Sequence, residues 1–375
     1  MRKVAAVPTF EGIRNDLTEF VSTLGVRLVD FMAKESATHR HARPVMSKMN
    51  DLNVLNDVRW TSSAGDRALV TGATGLVGRA LLPMIGDHAI AATRYPARAR
   101  GLSGEVVGWD ATSPVPAKAL ARVGAIFHLA GEPVAEGRWT AAKKARIQAS
   151  RIESTRSIVE SIAKLAPADR PRVLVCASAV GIYGSRGDEL LDESAPLAEG
   201  FLAEVCLAWE AEAARAKELG VRVVSLRIGI VLSPSGGALP KMLRPFRLGL
   251  GATLGDGAQW MPWIHVDDVV GLLRFVAGNE AVEGPVNAVA PGVVSNKDFT
   301  QALGRALHRR IVLSAPKFAL ALALGEVSSV VLASQRVVPK RALDAGFEFA
   351  YPNIDEALAA CLRGDEIEQP TRRAQ

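Results

Sequence analysis

The stretch LVTGATGLVGRA, residues 69–80, places three glycines at three-residue spacing between an apolar run and a predicted helix. In that context one glycine makes a tight turn, one lets the backbone approach a pyrophosphate, and one lets the helix pack close to the strand. The bare amides and the dipole at the helix N-terminus then attract an anion without a lysine. Because glycines also serve ordinary turns, the stretch alone leaves a purely structural role open.

Short apolar runs alternate with helical segments from Arg67 onward. Predicted strands cover residues 68–71, 89–93, 125–129, 172–176 and 221–226, and predicted helices cover 76–86, 140–165 and 201–219. Strands that alternate with helices imply a parallel sheet with helices on both faces. The sequence therefore predicts an α/β fold, a Rossmann-type doubly wound parallel sheet.

The end of the second predicted strand indicates which dinucleotide fits. An NAD-binding site of this type carries an acidic residue about twenty residues after the glycines, where it binds the ribose 2′-hydroxyl. Thr93 and Arg94 occupy that point here, with Arg98 and Arg100 close behind. A cation suits the 2′-phosphate, so the pattern favours NADP(H) over NAD(H). The alternative is a surface arginine at a strand end.

The composition narrows the class of protein. The 375 residues carry 45 Lys and Arg against 39 Asp and Glu, a net charge of +6, and 49% are apolar, which is typical of a globular enzyme. The basic residues are scattered, so no nucleic-acid partner is expected. The one short basic cluster, residues 241–247, has two interpretations, a solvated helix face or a site for a substrate anion.

Three cysteines lie far apart, at 176, 206 and 361, with no metal-ligand spacing. They predict neither a disulfide framework nor a metal site, and they fit a reducing cytoplasm. No apolar run reaches the ~18 residues that a membrane span needs, so no membrane partner is expected. Residues 1–66 differ in texture and are interpreted as an N-terminal extension of uncertain order, with one amphipathic helix predicted over 12–34.

Six motifs occur in an order that resembles one known family. They are TGATGLVG at 71–78, HLAGEP at 128–133, GRW at 137–139, SRIEST at 150–155, SAVGIYG at 178–184 and MPWIHVDD at 261–268. The series resembles the epimerase family proteins, an atypical branch of the extended short-chain dehydrogenase/reductases related to the NAD-dependent epimerase/dehydratases. The resemblance implies a dinucleotide-binding domain over 67–295, a small substrate-side C-terminal domain over 296–362 and a tail over 363–375.

The same resemblance implies where each part of the cofactor would lie. It implies the pyrophosphate at Gly72, Ala73, Thr74, Gly75, Leu76 and Val77, the ribose phosphate at Thr93 and Arg94, and the nicotinamide side at Leu129, Ala130 and Gly131. It also implies that Arg151 reaches the cofactor from the long helix and that Val231 lies in a loop that closes over the nicotinamide. A helical arginine such as Arg151 more often extends to solvent. In the motif at 261–268, Asp267 is expected to cap a helix.

Catalysis is less well marked. The superfamily uses a Tyr with a Lys four residues later on one helix, where the ammonium lowers the phenol pKa. Leu202 and Cys206 occupy those places here, and neither can do that work. The remaining candidates, in order, are Ser178, Tyr183 and Glu132. Tyr183 has packing as its alternative role, and Glu132 has capping of a turn.

Two functions remain. The first is an NADP(H)-dependent oxidoreductase or epimerase that acts on a small polar molecule, with sugar-like molecules among the candidate substrates. The second is a non-catalytic NADP(H)-binding sensor or regulatory protein. Ser178 and Tyr183 favour the first, whereas the missing Tyr/Lys pair favours the second. The sequence leaves the oligomeric state open.

Overall fold

The computed structural model describes residues 67–99 and 101–363. The helix predicted over 12–34, Arg100 and all but the first residue of the tail lie outside these ranges. The strands are β1 Arg67–Thr71, β2 Ala89–Thr93, β3 Glu105–Gly108, β4 Val123–His128, β5 Val173–Ala179, β6 Leu190–Leu191, β7 Arg222–Ile228, β8 Ile230–Leu232, β9 Ala252–Leu254, β10 Trp260–Met261, β11 Trp263–His265, β12 Gly284–Ala288, β13 Val294–Ser295, β14 Leu313–Ala315 and β15 Arg336–Val337.

Helices follow most of the sheet strands. They are α1 Leu76–Ile85, α2 Ala117–Leu120, α3 Ala141–Ala163, α4 Phe201–Ala214, α5 Ala238–Arg247, α6 Val266–Gly278, α7 Asn296–Ala306, α8 Lys317–Leu324, α9 Ser328–Val331, α10 Lys340–Asp344 and α11 Ile354–Leu362. No helix in the described ranges is both long and apolar enough to cross a bilayer.

Seven parallel strands form the main sheet, in the order β12-β7-β5-β4-β1-β2-β3. Every neighbouring pair is parallel, so all seven carboxyl ends meet at one edge. Thr71 lies opposite His128 across β1 and β4, and Ser178 lies opposite Arg227 across β5 and β7. In open sheets of this kind ligands bind at that edge, where the strand order reverses.

The sheet is covered on both faces, which confirms the doubly wound fold. One apolar core joins the strands to α1 and α6, through residues such as Leu81 and Leu273. The other joins them to α3 and α4, through residues such as Ile158 and Trp209. Strands buried on both faces need near-continuous apolar runs. For this reason the sequence predicts five of the seven strands, β1, β2, β4, β5 and β7.

Both edge strands were missed by the sequence pattern, for a physical reason. β12 reads GPVNA and contains Pro285, which cannot donate a ladder hydrogen bond but is tolerated at an edge. β3 is a four-residue strand with an exposed Glu105 at its start. The helix predicted over 201–219 ends at Ala214 and continues as a 3₁₀ turn, Arg215–Leu219.

The C-terminal part packs closely on the rest of the chain. A third core joins Leu232 and Trp263 to Phe299 and Leu358, and β13, β14 and β15 pair with β10, β9 and β6. The division of the chain at residue 296 stays a prediction.

The expected cap at Asp267 is wrong. His265 is the N-cap of α6 and accepts a hydrogen bond from the Asp267 amide at 3.2 Å. Asp268 instead accepts hydrogen bonds from the amides of Ala350, at 2.7 Å, and Tyr351, at 3.1 Å.

Candidate functional site

The glycine loop connects β1 to α1, and its glycines leave almost no space for a Cβ atom. Gly72 has a φ of +65°, and a Cβ there would lie 2.5 Å from the carbonyl oxygen of Leu129. The Gly75 amide donates to the Gly72 carbonyl at 2.8 Å. A Cβ on Gly78 would overlap the same Gly72 carbonyl, so this glycine lets α1 pack against the end of β1.

The N-terminus of α1 is open to an anion. Gly75 is its N-cap and offers no side-chain hydrogen bond, and the first turn holds no acidic residue. Arg79 of α1 folds back on the loop, where its Nε donates to the Thr74 carbonyl at 2.9 Å. A helix start of this kind provides unpaired amides and a favourable dipole for a pyrophosphate.

Two arginines flank an exposed tyrosine just after β2. The guanidinium carbons of Arg94 and Arg98 lie 5.8 Å and 4.9 Å from the centre of the Tyr95 ring. Tyr95 is 54% exposed, and its amide donates to Thr93 Oγ1 at 3.2 Å. Neither guanidinium forms an ion pair with a carboxylate within 67–99 and 101–363. The pair therefore presents positive charge at the carboxyl edge of the sheet.

A buried histidine fixes the end of β4. His128 Nδ1 lies 2.7 Å from Thr71 Oγ1, and its Nε2 lies 3.0 Å from Ser154 Oγ of α3. Burial, aided by the nearby Arg151 cation, lowers the pKa of His128 to about 3. The neutral ring thus ties β1, β4 and α3 together and sets the position of residues 129–131, which follow directly.

Arg151 does not extend to solvent. Its Nη1 donates to the carbonyls of Glu132, at 3.1 Å, and Ile147, at 3.0 Å. Its guanidinium carbon lies 5.1 Å from the Trp209 ring centre, and a Cβ on Gly131 would come within 3.2 Å of its Nη2. The structure therefore brings Arg151 and Gly131 together. Val231 differs from expectation, because it lies within strand β8 and not in a loop.

Glu132 lies in an ion-pair cluster. Its Oε1 accepts from Lys143 Nζ at 2.9 Å and lies 3.4 Å from Arg146 Nε. The hydrogen bond from Lys143 is the main reason that the pKa of Glu132 is lowered. The two cations therefore favour the ionised form of Glu132.

The other two candidates share one hydrogen-bond network, here named the Ser178–Asn287 network. Ser178 Oγ donates to Glu210 Oε1 at 2.6 Å, and Arg227 donates to both oxygens of Glu210 at 2.9 Å. Arg227 also donates to the Tyr183 hydroxyl at 2.9 Å, which donates to Asn287 Oδ1 at 2.8 Å. Tyr183 is 0% exposed, so its hydroxyl is satisfied and faces no solvent.

Helix α4 corresponds to the helix on which the superfamily has its Tyr and Lys. Leu202 lies beside Gly181, where a Cβ on the glycine would be 3.7 Å from the leucine Cβ. Cys206 is buried, and burial raises the pKa of its thiol to about 11. Glu210 follows on the same face, and sequence reasoning missed it together with Arg227. The available signal was spacing alone, because positions 202, 206 and 210 are successive turns of one face.

Comparison with known proteins agrees with this geometry. Residues 68–289 match the NAD dependent epimerase/dehydratase family, and residues 315–361 match a domain of unknown function, DUF1731. The chloroplastic homologue of epimerase family protein SDR39U1 from Arabidopsis thaliana is 39% identical over 303 residues, which cover 78% of this chain and 86% of the relative.

Two solved structures are similar over most of the chain. Human epimerase family protein SDR39U1 with NADPH is 32% identical with a TM-score of 0.71, covering 79% of this chain and 99% of that one. A nucleoside-diphosphate sugar epimerase from Corynebacterium glutamicum is 32% identical with a TM-score of 0.65, covering 83% of this chain and 63% of that one. By sequence and by fold, this chain belongs to the NAD-dependent epimerase/dehydratase family of extended short-chain dehydrogenase/reductases, among the epimerase family proteins.

Proposed function

We propose that the protein is an NADP(H)-dependent oxidoreductase or epimerase acting on a small, hydroxyl-bearing polar molecule. The observation that carries the proposal is the pairing of two features at one sheet edge. One is the side-chain-free cradle of Gly72, Gly75 and Gly78 at an uncapped helix start. The other is the pair of guanidiniums on either side of Tyr95. The first suits a pyrophosphate, and the second suits an additional phosphate on the adenosine ribose.

Each part of the cofactor has residues that fit it. Residues 72–77 would hold the pyrophosphate through backbone amides, and Thr93 and Arg94 would hold the 2′-phosphate. Leu129, Ala130 and Gly131 would line the nicotinamide side, with Arg151 behind them and Val231 opposite, on β8. The human relative crystallised with NADPH supports the choice of cofactor.

When bound, the nicotinamide would supply the acceptor or donor of a hydride. The chain's own part is to hold the substrate hydroxyl and manage its proton. Ser178 lies at the carboxyl end of β5 and is the first candidate for contact with the substrate oxygen. Tyr183 would serve as a positioning residue, because Arg227 and Asn287 occupy its hydroxyl. Glu132, the third candidate, would position Arg151 through its carbonyl.

A non-catalytic sensor or regulatory protein is the second candidate function. Leu202 and Cys206 favour it, because an apolar group and a thiol with a pKa raised to about 11 occupy the places of the usual acid and its activating cation. Such a protein would bind NADP(H) through the same residues and release it unchanged.

Calorimetric titration with NADPH, NADP⁺, NADH and NAD⁺ tests the shared part of both functions. We expect NADPH to bind tightly and R94E to weaken it by at least about 100-fold, because the variant replaces an attractive charge with a repulsive one. K118E is the matched control, since Lys118 is exposed on α2, away from the sheet's carboxyl edge. If wild type and R94E bind NADPH equally, Arg94 does not hold the 2′-phosphate. If none of the four cofactors binds, both functions are wrong.

The choice between enzyme and sensor needs a substrate panel. Secondary alcohols, sugar nucleotides and small carbonyl compounds cover the expected chemistry, and the sugar epimerase among the similar structures supports the second class. Turnover that S178A abolishes, with NADPH affinity retained, would establish the enzyme. A chain that binds NADPH and turns over nothing in the panel is better described as a sensor.

Cellular location and assembly are part of the proposal. We place the protein in the cytoplasm because Cys176, Cys206 and Cys361 are buried and unpaired, which suits a reducing compartment. The chloroplastic relative makes an organelle the alternative. Cell fractionation with an antibody decides between them, and light scattering of the purified chain gives the oligomeric state.

A further inference from the structure

Helix α4 carries a carboxylate, Glu210, on the same face as Leu202 and Cys206, the two positions where the superfamily has Tyr and Lys. Leu202, Cys206 and Glu210 are four residues apart, so they share that face. The first two cannot handle a proton, but Glu210 accepts a hydrogen bond from Ser178 Oγ at 2.6 Å. Helix α4 therefore still places an ionisable group, Glu210, at the end of β5, one turn after the position of the superfamily's Lys.

The hydrogen bonds determine what Ser178 can offer to a ligand. A serine hydroxyl has one proton to donate and two lone pairs that can accept. Ser178 donates its proton to Glu210 and also contacts the Cys206 thiol, so one lone pair is what remains for a further neighbour. The Ser178 side chain is thus set to accept a hydrogen bond from a hydroxyl group, whereas a carbonyl oxygen has no proton to give it.

Arg227 fixes the orientation of the Glu210 carboxylate. Its Nε and Nη2 each donate to one carboxylate oxygen at 2.9 Å, and Arg227 is 4% exposed. A buried guanidinium with this geometry fixes the plane of the carboxylate. The Glu210 side chain is 14% exposed, so it retains contact with solvent for proton exchange.

We propose that Ser178 and Glu210 form the proton-accepting pair of this site and that they replace the missing Tyr and Lys. The inference rests on the proposed function. It narrows the substrate to a molecule that presents a hydroxyl group to Ser178, as a secondary alcohol or a sugar carbon does.

The step balances without a further reagent. The substrate hydroxyl gives its proton to Ser178 Oγ while Ser178 gives its own proton to Glu210 Oε1. As the carbonyl forms, the C–H bond of the same carbon breaks, and a bound oxidised nicotinamide would supply the acceptor for its electron pair as a hydride. Glu210 then returns the proton to solvent. In the reverse direction the carbonyl oxygen receives the proton by the same path.

A thiol placed at position 178 tests the pair without any substrate. The experiment labels S178C with iodoacetamide and measures the modified peptide by mass spectrometry across a range of pH. Ser178 is 3% exposed, as buried as the native cysteines, so all S178C variants are made with Cys176, Cys206 and Cys361 changed to alanine, which leaves position 178 as the labelled thiol. S185C is the matched control, because Ser185 is exposed and lies outside the proposed site. The E210Q and E210D changes are then added to S178C.

We expect three results. NADPH should slow labelling of S178C by at least about tenfold and leave S185C unchanged, whereas 2′-phospho-ADP-ribose, which lacks the nicotinamide, should protect S178C much less. The pKa of the introduced thiol should fall by about one unit in S178C/E210Q, because a neighbouring carboxylate disfavours the thiolate. S178C/E210D keeps the charge and should retain the higher pKa.

The contrary outcomes are separate from a failure of the proposed function. An NADPH titration of S178C is run first, and absence of binding by S178C and wild type alike refutes the cofactor site itself. If NADPH binds but does not protect S178C, or if S178C never reacts, position 178 does not face the reacting end. If the thiol has the same pKa with Glu and Gln at 210, the carboxylate does not act on it. Each of these last results overturns the proposed pair and leaves the cofactor site intact.

Discussion

The glycine loop and the Ser178–Asn287 network lie at the same edge of one sheet and are built in opposite ways. The loop works through backbone: three residues without side chains bring β1, β4 and α1 within contact distance. The network works through side chains that meet from β5, α4, β7 and β12. Backbone geometry tolerates no substitution at the loop, whereas the network depends on partners that are far apart in sequence. The two regions should therefore fail in different ways.

The largest expected effect is at the loop, in G72A. A Cβ at Gly72 would lie 2.5 Å from the Leu129 carbonyl oxygen, at a φ of +65°. Left-handed strain and overpacking together should cost about 2–5 kcal/mol of the free energy of unfolding, and NADPH binding should be lost. Urea denaturation and calorimetry measure both.

G86A separates the clash from the strain. Gly86 has a φ of +66° at the other end of α1, and a Cβ there would meet nothing within 4 Å. We expect G86A to cost about 1–2 kcal/mol and to leave NADPH affinity unchanged. Equal losses in the two variants would show that the close approach of β1 and β4 is unimportant.

A pH-dependent effect should come from the histidine beside the loop. The folded pKa of His128 is lowered to about 3, below its ordinary value of 6.5, so the unfolded chain binds the proton more readily. Its contribution to stability is complete above pH 6.5 and is lost as the pH falls toward 3. The free energy of unfolding should fall by up to about 1.4 kcal/mol per pH unit for this one group.

Comparison of variants isolates that slope. H128Q should be less stable at neutral pH and should show a shallower acid slope, while His265, with a pKa lowered to about 4, accounts for part of what remains. H308N is the control, because His308 is exposed and its φ of +53° suits asparagine. An acid slope that is the same in H128Q and wild type would mean that His128 is not buried as a neutral ring.

The Ser178–Asn287 network should respond more mildly to Y183F. Removal of the hydroxyl leaves Arg227 Nη1 and Asn287 Oδ1 each without one partner. We expect a loss of about 1–3 kcal/mol in the free energy of unfolding, from unsatisfied buried groups, and an unchanged affinity for NADPH. Urea denaturation and calorimetry again decide. Loss of NADPH affinity in Y183F would show that the network and the loop are not independent.

The difference between the two regions also explains what could be predicted from the sequence. The loop could be predicted because its need for glycine depends on neighbouring residues only. Arg94 could be predicted because the end of β2 follows the loop at a nearly fixed number of residues. Ser178 was found because it ends a buried strand. Glu210 was not found, because its role depends on contacts between distant parts of the chain. Strands β5 and β7 place Ser178 opposite Arg227, and α4 brings Glu210 to both. Edge strand β12 was hidden by Pro285.

The smallest expected effect comes from E132Q, made for comparison with the same substitution in the other region, E210Q. Glu132 pairs with Lys143 and Arg146 in a partly exposed cluster, and its side chain is 22% exposed. E132Q should cost below about 1 kcal/mol, because solvent screens such pairs, and the carbonyl that holds Arg151 is untouched. Because Glu132 belongs to a separate ion-pair cluster beyond the end of β4, E132Q should also leave the ionisation of the thiol in S178C unchanged. E210Q should shift that ionisation, because Glu210 contacts position 178 directly. If E132Q shifted it as much as E210Q does, the proton-handling group would lie at the end of β4, and the separation of the two regions would not hold.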